Sequence, residues 1–249
     1  MGLLEGKVVI ITGAGSGMGR AQSILFIQEG AKVVLADLNL DSITKLSEEL
    51  SPDGDRALAV KVNITDKNEV DNLVSQTIEK FGQIDIVCNT AGLFDNHVPL
   101  LETSEDLWDK VMSVNTKGLF YITKAVLPYM IEKGKGVFVN VASVAGLSGS
   151  GGGIAYTASK HAAIGFTRQL ATAYKSQGIR ANIICPGFIE TPMTAKQLED
   201  PVIMEAVTRH SGRIGKPEDI AKASLFLASD YADYVNAVHI PVDGGMIMG

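Results

Sequence analysis

The segment Val8-Val-Ile-Ile-Thr-Gly-Ala-Gly-Ser-Gly-Met-Gly19 decides the fold. Its first four residues are all β-branched and predict a strand that is buried on both faces. Glycines at 13, 17 and 19 allow a tight turn and close approach to a ligand. A helix that begins near Met18 would point its free N–H groups at an anion. We therefore predict a strand–turn–helix unit that holds the pyrophosphate of a dinucleotide.

The glycine spacing alone leaves a second interpretation open. The stricter pattern Gly-x-Gly-x-x-Gly would need glycine at position 18, where Met18 stands. The observed pattern is Gly-x-x-x-Gly-x-Gly, which also occurs in plain strand-to-helix connections.

Short apolar runs alternate with longer helical stretches along the rest of the chain. We predict strands at residues 8–11, 33–36, 57–62, 84–88, 137–141, 181–185 and 238–242. Repeated strand–helix–strand units predict parallel strands with right-handed connections. The predicted fold is a single doubly wound, Rossmann-like α/β domain over residues 1–249, with a seven-stranded parallel sheet flanked by helices on both faces.

Capping residues predict where the helices begin and end. We expect helix starts at Asp41, at Asp66 (with Glu69) and at Thr103 (with Asp106), and Pro217 in a first helical position. Glycines that precede strands should end helices in the left-handed conformation, namely Gly30, Gly82, Gly134 and Gly178. Pro128 should kink the helical stretch at 113–133.

Composition excludes several classes of protein. Of the 249 residues, 46% are hydrophobic and 20% charged, which is typical of a globular chain rather than a disordered one. The net charge of −6 argues against nucleic acid as a partner. Apolar runs are too short for a membrane span or a signal peptide, so we expect a cytoplasmic protein with reduced, buried Cys88 and Cys185. The four histidines lack the spacing of a zinc site, and we expect no metal.

Asp37 stands at the end of the second predicted strand, 18 residues after Gly19. A carboxylate at this place can accept a hydrogen bond from the 2′-hydroxyl of a ribose. It would repel a 2′-phosphate, so we predict NAD rather than NADP. Arg20, just after the glycine turn, is the counter-argument, because it could hold that phosphate.

Tyr156 and Lys160 are four residues apart and share one face of a predicted helix. Such a pair is common on protein surfaces and means little alone. Here it follows the strand at 137–141, Ser143 and a glycine-rich loop at 149–153, which is unusual for a surface pair.

The motifs together resemble the short-chain dehydrogenase/reductase family over essentially the whole chain. The resemblance lies in Thr12-Gly-x-x-x-Gly-x-Gly19, Asn89-x-Ala-Gly92, Asn115, Ser143, Tyr156-x-x-x-Lys160 and Pro186-Gly187. It implies the strand order 3-2-1-4-5-6-7. Three positions depart from the usual pattern: Thr90 and Asn63, where asparagine and aspartate are common, and Ala142, where serine is common.

The resemblance implies a catalytic tetrad of Asn115, Ser143, Tyr156 and Lys160. Tyr156 would be the acid/base of hydride transfer, since a carbinol oxygen must gain or lose a proton as hydride moves. Lys160 would lower the pKa of the phenol and hold ribose hydroxyls. Ser143 would bond the reacting oxygen, and Asn115 would hold a water that connects Lys160 to solvent.

The resemblance also implies a set of cofactor contacts. They are Gly13, Ser16, Gly17, Met18, Gly19, Asp37, Leu38, Asn63, Ile64, Asn89, Ala91, Gly92, Tyr156, Lys160, Pro186, Gly187, Ile189 and Thr191.

Residues 188–215 are irregular and methionine-rich in sequence, and in this family the region forms a lid over the substrate. We predict a substrate pocket of Ser143, Leu147, Ile154, Tyr156, Phe188 and Met193, lined for a hydrophobic alcohol or ketone. The apolar members could instead pack the lid onto the body. His97 lies near the expected entrance, and we favour a solvated loop histidine there.

The predicted function is NAD(H)-dependent interconversion of a secondary alcohol and its ketone. One alternative is reduction of a 3-oxoacyl thioester on acyl carrier protein, which usually requires NADPH and a basic patch. Another is a binding module that senses the NAD(H) ratio without turnover. The resemblance also implies a homotetramer built through the helices of Asn115 and Tyr156, the last strand and the tail at 238–249.

Overall fold

Seven strands lie in one parallel sheet in the computed structural model, which describes residues 2–247. Their order is β3-β2-β1-β4-β5-β6-β7, as predicted. The strands are β1 Val8–Thr12, β2 Lys32–Asp37, β3 Ala57–Lys61, β4 Ile86–Asn89, β5 Gly136–Val141, β6 Ile179–Pro186 and β7 His239–Val242. The order reverses between β1 and β4, so a crevice opens there at the carboxyl ends of the strands.

Nine α-helices connect the strands within the described residues. They are α1 Gly17–Gln28, α2 Leu40–Leu50, α3 Lys67–Phe81, α4 Glu105–Met112, α5 Leu119–Lys133, α6 Ile154–Tyr174, α7 Ala195–Leu198, α8 Pro201–Ser211 and α9 Pro217–Ala228. In that same part of the chain, every helix falls short of the length and apolar character that a bilayer-spanning segment needs.

Two hydrophobic layers cover the two faces of the sheet. Alternate residues of β1 point to opposite layers, Val9 and Ile11 to one and Ile10 to the other. The first layer packs against α1, α2 and α9, and the second against α3, α5 and α6. All residues of β1 and β5 are buried, which confirms the strands predicted to be covered on both faces.

Some predicted helix ends are confirmed and two are wrong. Asp66 caps α3 by accepting from the N–H groups of Asn68 and Glu69, and Pro217 begins α9. The cap of α2 is Asn39 rather than Asp41, which lies inside the first turn. The cap of α4 is Ser104 rather than Thr103, because the Thr103 hydroxyl donates to the carbonyl of Pro99 (3.0 Å).

Two helical regions differ in detail from expectation. The stretch from Ser113 begins with a π-helical turn, Ser113–Gly118, before α5 continues through Pro128 to Lys133. π-turns are rare and often occur at functional sites. Residues 188–215 are not irregular, since they contain α7 and α8.

Candidate active site

A cavity of about 240 Å³ lies in the crevice at the carboxyl ends of β1, β2 and β4. Twelve of the predicted cofactor contacts line it: Gly13, Ser16, Gly17, Met18, Gly19, Asp37, Leu38, Asn63, Ile64, Ala91, Gly92 and Thr191. The structure adds Ala36, Val62, Thr90, Val114 and Pro192. Most of these residues are chain neighbours of predicted contacts. Because the ends of parallel strands converge at one edge of the sheet, the residues beside each predicted contact could also have been predicted to line the cavity.

The glycine turn is built for close backbone approach. A Cβ atom on Gly19 would lie 2.2 Å from the carbonyl oxygen of Gly13, so no side chain fits there. Gly13 and Gly17 have left-handed backbones, with φ of 69° and 48°. The turn leads directly into α1, whose N-terminal N–H groups face the cavity and suit a pyrophosphate.

The Asp37 carboxylate forms the rim of this cavity at the end of β2. Its Oδ2 accepts from the N–H of Gly15 (2.9 Å) and its Oδ1 from the N–H of Asn39 (2.9 Å). Arg20 forms an ion pair with Glu49 (3.0 Å).

Six predicted cofactor contacts lie outside this cavity, and two of them, Tyr156 and Lys160, also belong to the predicted tetrad. The Asn89 amide donates to Asn140 Oδ1 (2.9 Å) in the interior, and Ile189 packs in the core. Pro186 is the buried last residue of β6, and Gly187 lines a second cavity. Tyr156 borders that second cavity and Lys160 lies beneath the crevice.

The three departures from the family pattern are accommodated locally. The Thr90 hydroxyl donates to Gln22 Oε1 (2.6 Å), and Asn63 Oδ1 accepts from the Thr65 hydroxyl (2.8 Å). Ala142 packs in a small apolar cluster.

Tyr156 and Lys160 lie on the first two turns of α6, facing the end of β5. The Lys160 Nζ atom is 5.4 Å from the centre of the Tyr156 ring and donates to the Val141 carbonyl (3.1 Å). Ser143, just past β5, accepts from the N–H of Ala145 (3.1 Å) and lines the same cavity as Tyr156. The structure therefore brings three of the four predicted catalytic side chains together.

Burial dominates the ionisation of this pair. Burial raises the pKa of Tyr156 to about 12, and the nearby Asp95 carboxylate also raises it, while the neighbouring Ser143 hydroxyl lowers it. Burial lowers the pKa of Lys160 to about 8. Lys160 was expected to lower the pKa of the phenol. In the protein without cofactor, the pKa of the phenol is raised instead.

The side-chain amide of Asn115, in the π-turn, forms hydrogen bonds through both its oxygen and its nitrogen. Its Oδ1 accepts from the N–H of Leu93 (2.7 Å), and its Nδ2 donates to the Leu93 carbonyl (2.9 Å) and to Ser159 Oγ (2.9 Å). A cavity of about 10 Å³ separates Asn115 from Lys160, close to the room that one water needs.

A second, larger cavity of about 640 Å³ opens beside Tyr156 and Ser143. Apolar residues from the body, from the segment 188–215 and from residues near the C-terminus line it: Phe94, Val144, Phe188, Met193, Ile203, Ala206, Val207, Met246 and Ile247. His97, Gln197 and His210 are among its polar groups. Met193 lines both cavities, so the two meet there.

Two predicted pocket residues are not in this cavity. Leu147 packs against the cluster of Ala142 and Ile164 beneath it, and Ile154, the first residue of α6, is 38% exposed. His97 is exposed, as predicted for a loop histidine, yet it lies at the cavity wall with its ring 5.0 Å from that of Phe94.

No cluster of three or more potential metal ligands occurs in the described residues. Both cysteines are buried and unpaired with each other.

Comparison with known proteins gives one consistent answer. A family model described as enoyl-(acyl carrier protein) reductase matches residues 13–247. The chain is 43% identical to a 3-oxoacyl-[acyl-carrier-protein] reductase of Thermotoga maritima, covering 98% of this chain and 99% of the relative. It is 40% identical to meso-2,3-butanediol dehydrogenase of Serratia marcescens, covering 97% and 94%. The crystal structure of levodione reductase superimposes with a TM-score of 0.93 at 37% identity, covering 99% of each chain.

The chain belongs to the short-chain dehydrogenase/reductase family.

As a short-chain dehydrogenase/reductase, the protein is an oxidoreductase that acts on CH–OH groups with a nicotinamide cofactor. The residues present fit such a dinucleotide. Gly19 in the glycine turn has no room for a side chain, the N-terminus of α1 faces the crevice, and the Asp37 carboxylate at its rim could hold a ribose hydroxyl.

Proposed function

We propose that this protein uses NAD(H) to interconvert a hydrophobic secondary alcohol and its ketone, with Tyr156 as the acid/base. The observation that carries the proposal is the meeting of the two cavities at Met193, with Tyr156 and Ser143 in the wall of the larger one. A substrate in that cavity can present its carbinol group to both hydroxyls and to the cofactor crevice. Its predominantly apolar lining suits a hydrophobic substrate.

Bound NAD⁺ supplies the hydride acceptor and a positive charge on its nicotinamide ring. In the oxidation direction Tyr156 accepts the alcohol proton, and in the reduction direction it donates a proton to the forming alkoxide. The Ser143 hydroxyl donates to the same oxygen and stabilises its developing charge. The pKa of about 12 must fall for the phenol to work near neutral pH, and the nearby Lys160 ammonium assists when protonated.

Proton exchange with solvent is assigned to the small cavity between Lys160 and Asn115. Its walls carry polar groups of Thr12, Asn89 and Asn140 beside those two residues. One water there could accept a proton from Lys160. Because the Asn115 side chain is bonded to Leu93 and Ser159, it would shape this cavity rather than offer its own amide to the water.

NAD is proposed over NADP because of Asp37. A carboxylate about 4 Å from a 2′-phosphate meets repulsion on the order of 4 kcal/mol per charge pair at a dielectric of 20. Solvent at this partly exposed rim reduces that figure. The position of Arg20 supports the choice, because this cation pairs with Glu49 and does not line the cavity.

The test is a panel of secondary alcohols, ketones and diketones, assayed by NADH absorbance with NAD(H) and NADP(H) in parallel. We expect turnover of bulky apolar alcohols, and a higher kcat/KM with NAD⁺ than with NADP⁺. A preference for NADP⁺ would contradict the cofactor assignment. Tight NADH binding without turnover of any panel member would favour the sensing module instead.

Reduction of a 3-oxoacyl thioester is a second candidate, favoured by the 43% identity to the Thermotoga maritima reductase. The panel therefore includes a 3-oxoacyl thioester. A kcat/KM for it that exceeds those of all alcohols and ketones would replace the first proposal by the second.

We also propose a homotetramer built through the helical stretch of Asn115 and α5, through α6 and through β7. Two large aromatic side chains on α5, Phe120 and Tyr129, are more than one-third exposed in the isolated chain. Burial of such side chains between copies is favourable. Sedimentation would test the assembly. The cytoplasmic location of the protein stays a prediction.

A further inference from the structure

Asp95 is a buried carboxylate that the catalytic scheme above does not use. It lies in the loop between β4 and α4 and is 1% exposed. None of the ion pairs in the described part of the chain involves it. A carboxylate that is buried without a cation needs several hydrogen-bond donors to remain charged.

Three backbone N–H groups supply those donors, and two of them belong to the start of α6. Asp95 Oδ1 accepts from Gly153 (2.8 Å) and from His97 (3.2 Å), and Oδ2 accepts from Tyr156 (2.8 Å). The N–H of Tyr156 lies in the first helical turn and has no acceptor within the helix, so a capping group normally accepts its hydrogen bond. The carboxylate also faces the positive end of the helix dipole.

Asp95 therefore caps α6 from a different part of the chain. The N-cap position itself is Gly153, which has no side chain to accept these bonds. A Cβ atom there would lie 2.6 Å from Asp95 Oδ2 and 2.5 Å from the Val98 carbonyl oxygen. Only glycine lets the Asp95 loop approach the helix this closely.

The same loop is fixed to other parts of the site. Leu93 is held by both ends of the Asn115 amide, and the Phe94 ring packs edge-on against the Tyr156 ring, with centres 5.0 Å apart. Asn96 and His97 adopt left-handed backbones, with φ of 55° and 59°, which turn the chain back toward α6.

We propose that Asp95 is a positioning residue for Tyr156: its buried carboxylate holds the first turn of α6 and keeps a negative charge beside the phenol. The role rests on the proposed function of Tyr156 as the acid/base. The carboxylate contacts the Tyr156 backbone rather than substrate, so it acts through Tyr156 on the reaction.

The charge of Asp95 has a measurable consequence. A neighbouring anion disfavours the tyrosinate, and Asp95 raises the pKa of Tyr156. The other titratable groups around the phenol are Lys160 on α6, His97 on the same loop, Cys185 at the end of β6 and His210 on α8 across the cavity. Removal of the Asp95 charge should move the pH midpoint of alcohol oxidation downward.

The test compares Asp95→Asn and Asp95→Ala with the wild type and with Asp66→Asn. Asp66 also caps a helix with its carboxylate, but it does so from the N-cap position of α3, is exposed and lies outside both cavities. The measurements are the pH profile of kcat with a secondary alcohol, the hydrogen exchange of the amides at 153 and 156, and the ultraviolet titration of Tyr156, identified by difference from Tyr156→Phe. The last two need no turnover, so they test Asp95 even if the proposed function fails.

We expect both Asp95 variants to exchange the 153 and 156 amides at least about tenfold faster, and to titrate Tyr156 at lower pH. We expect kcat to fall by about 10²-fold, because small displacements of reacting groups are costly. Asp66→Asn should match the wild type in all three measurements.

If Asp95→Ala does not fold, the measurements on Asp95→Asn test the proposal, since this variant keeps the size of the side chain. An unmoved Tyr156 midpoint would overturn the proposal even if kcat falls, because Asp95 would then be an ordinary helix cap.

Discussion

Lys160 is the residue at which burial and charge conflict most directly. Its side chain is buried, and burial lowers its pKa from 10.5 to about 8. The folded chain therefore binds this proton less tightly than the unfolded chain does. Between about pH 8 and 10.5 the unfolded chain holds the proton and the folded chain does not, so this group makes stability rise with pH.

Replacement by an apolar side chain should reveal that penalty. We predict that Lys160→Met, without cofactor, is more stable than the wild type at neutral pH by up to about 3 kcal/mol. The advantage should shrink at about pH 9.5, where the wild-type lysine is largely neutral. Urea unfolding at the two pH values measures this. If the stability difference between Lys160→Met and the wild type were the same at both pH values, burial could not be lowering the pKa of Lys160.

Asp37 is the residue that sets cofactor choice. We predict that Asp37→Asn raises kcat/KM with NADP⁺ at least about tenfold relative to NAD⁺, equivalent to about 1.4 kcal/mol. Asp41→Asn is the matched control, because Asp41 is an exposed carboxylate nearby that does not line the cavity. Initial rates with both cofactors measure the ratio. An equal change in both variants would assign the effect to net charge rather than to the position of Asp37.

At the scale of elements, the start of α6 depends on a close approach of backbone to backbone. A Cβ atom at position 153 would meet the Val98 carbonyl oxygen at 2.5 Å, whereas one at position 149 would meet nothing within 4 Å. We predict that Gly153→Ala destabilises the protein by about 1–3 kcal/mol. It should also lower kcat by displacing the Asp95 loop.

Gly149→Ala should change stability by less than about 0.5 kcal/mol, because it lies at an exposed loop position. Urea unfolding and kcat of the two variants are compared side by side. If Gly153→Ala were as stable and as active as Gly149→Ala, the loop and helix could not be packed as described.

Sequence patterns predicted the location of the strands and helices better than the residues that cap the helices. Apolar runs located every strand to within two residues at either end. The signal is strongest for strands buried on both faces, such as β1 and β5. The caps at Asn39 and Ser104 were missed, since several neighbouring residues can cap and only the local backbone decides among them. The π-turn around Asn115 has no sequence signal of its own.

At the scale of the whole molecule, the sheet order explains why distant motifs form one site. The glycine turn, Asp37 and Asn89-Thr-Ala-Gly92 all follow strands on either side of the β1–β4 crevice. The motif residues were therefore predictable from their places after the strands. Asp95 was not, because its partners at the start of α6 lie about 60 residues away in the chain and no local pattern links them. Leu147 and Ile154 were placed in the pocket on apolarity alone, which does not tell core from cavity wall.

We propose that the Tyr156 phenol transfers the proton while hydride crosses between the two cavities. The most direct test is NADH formation by Tyr156→Phe with an alcohol that the wild type oxidises, alongside NADH binding by fluorescence. We predict that kcat falls about 10²- to 10⁴-fold while the Kd for NADH changes less than about threefold. A Tyr156→Phe protein that keeps kcat within a few-fold of the wild type would contradict it.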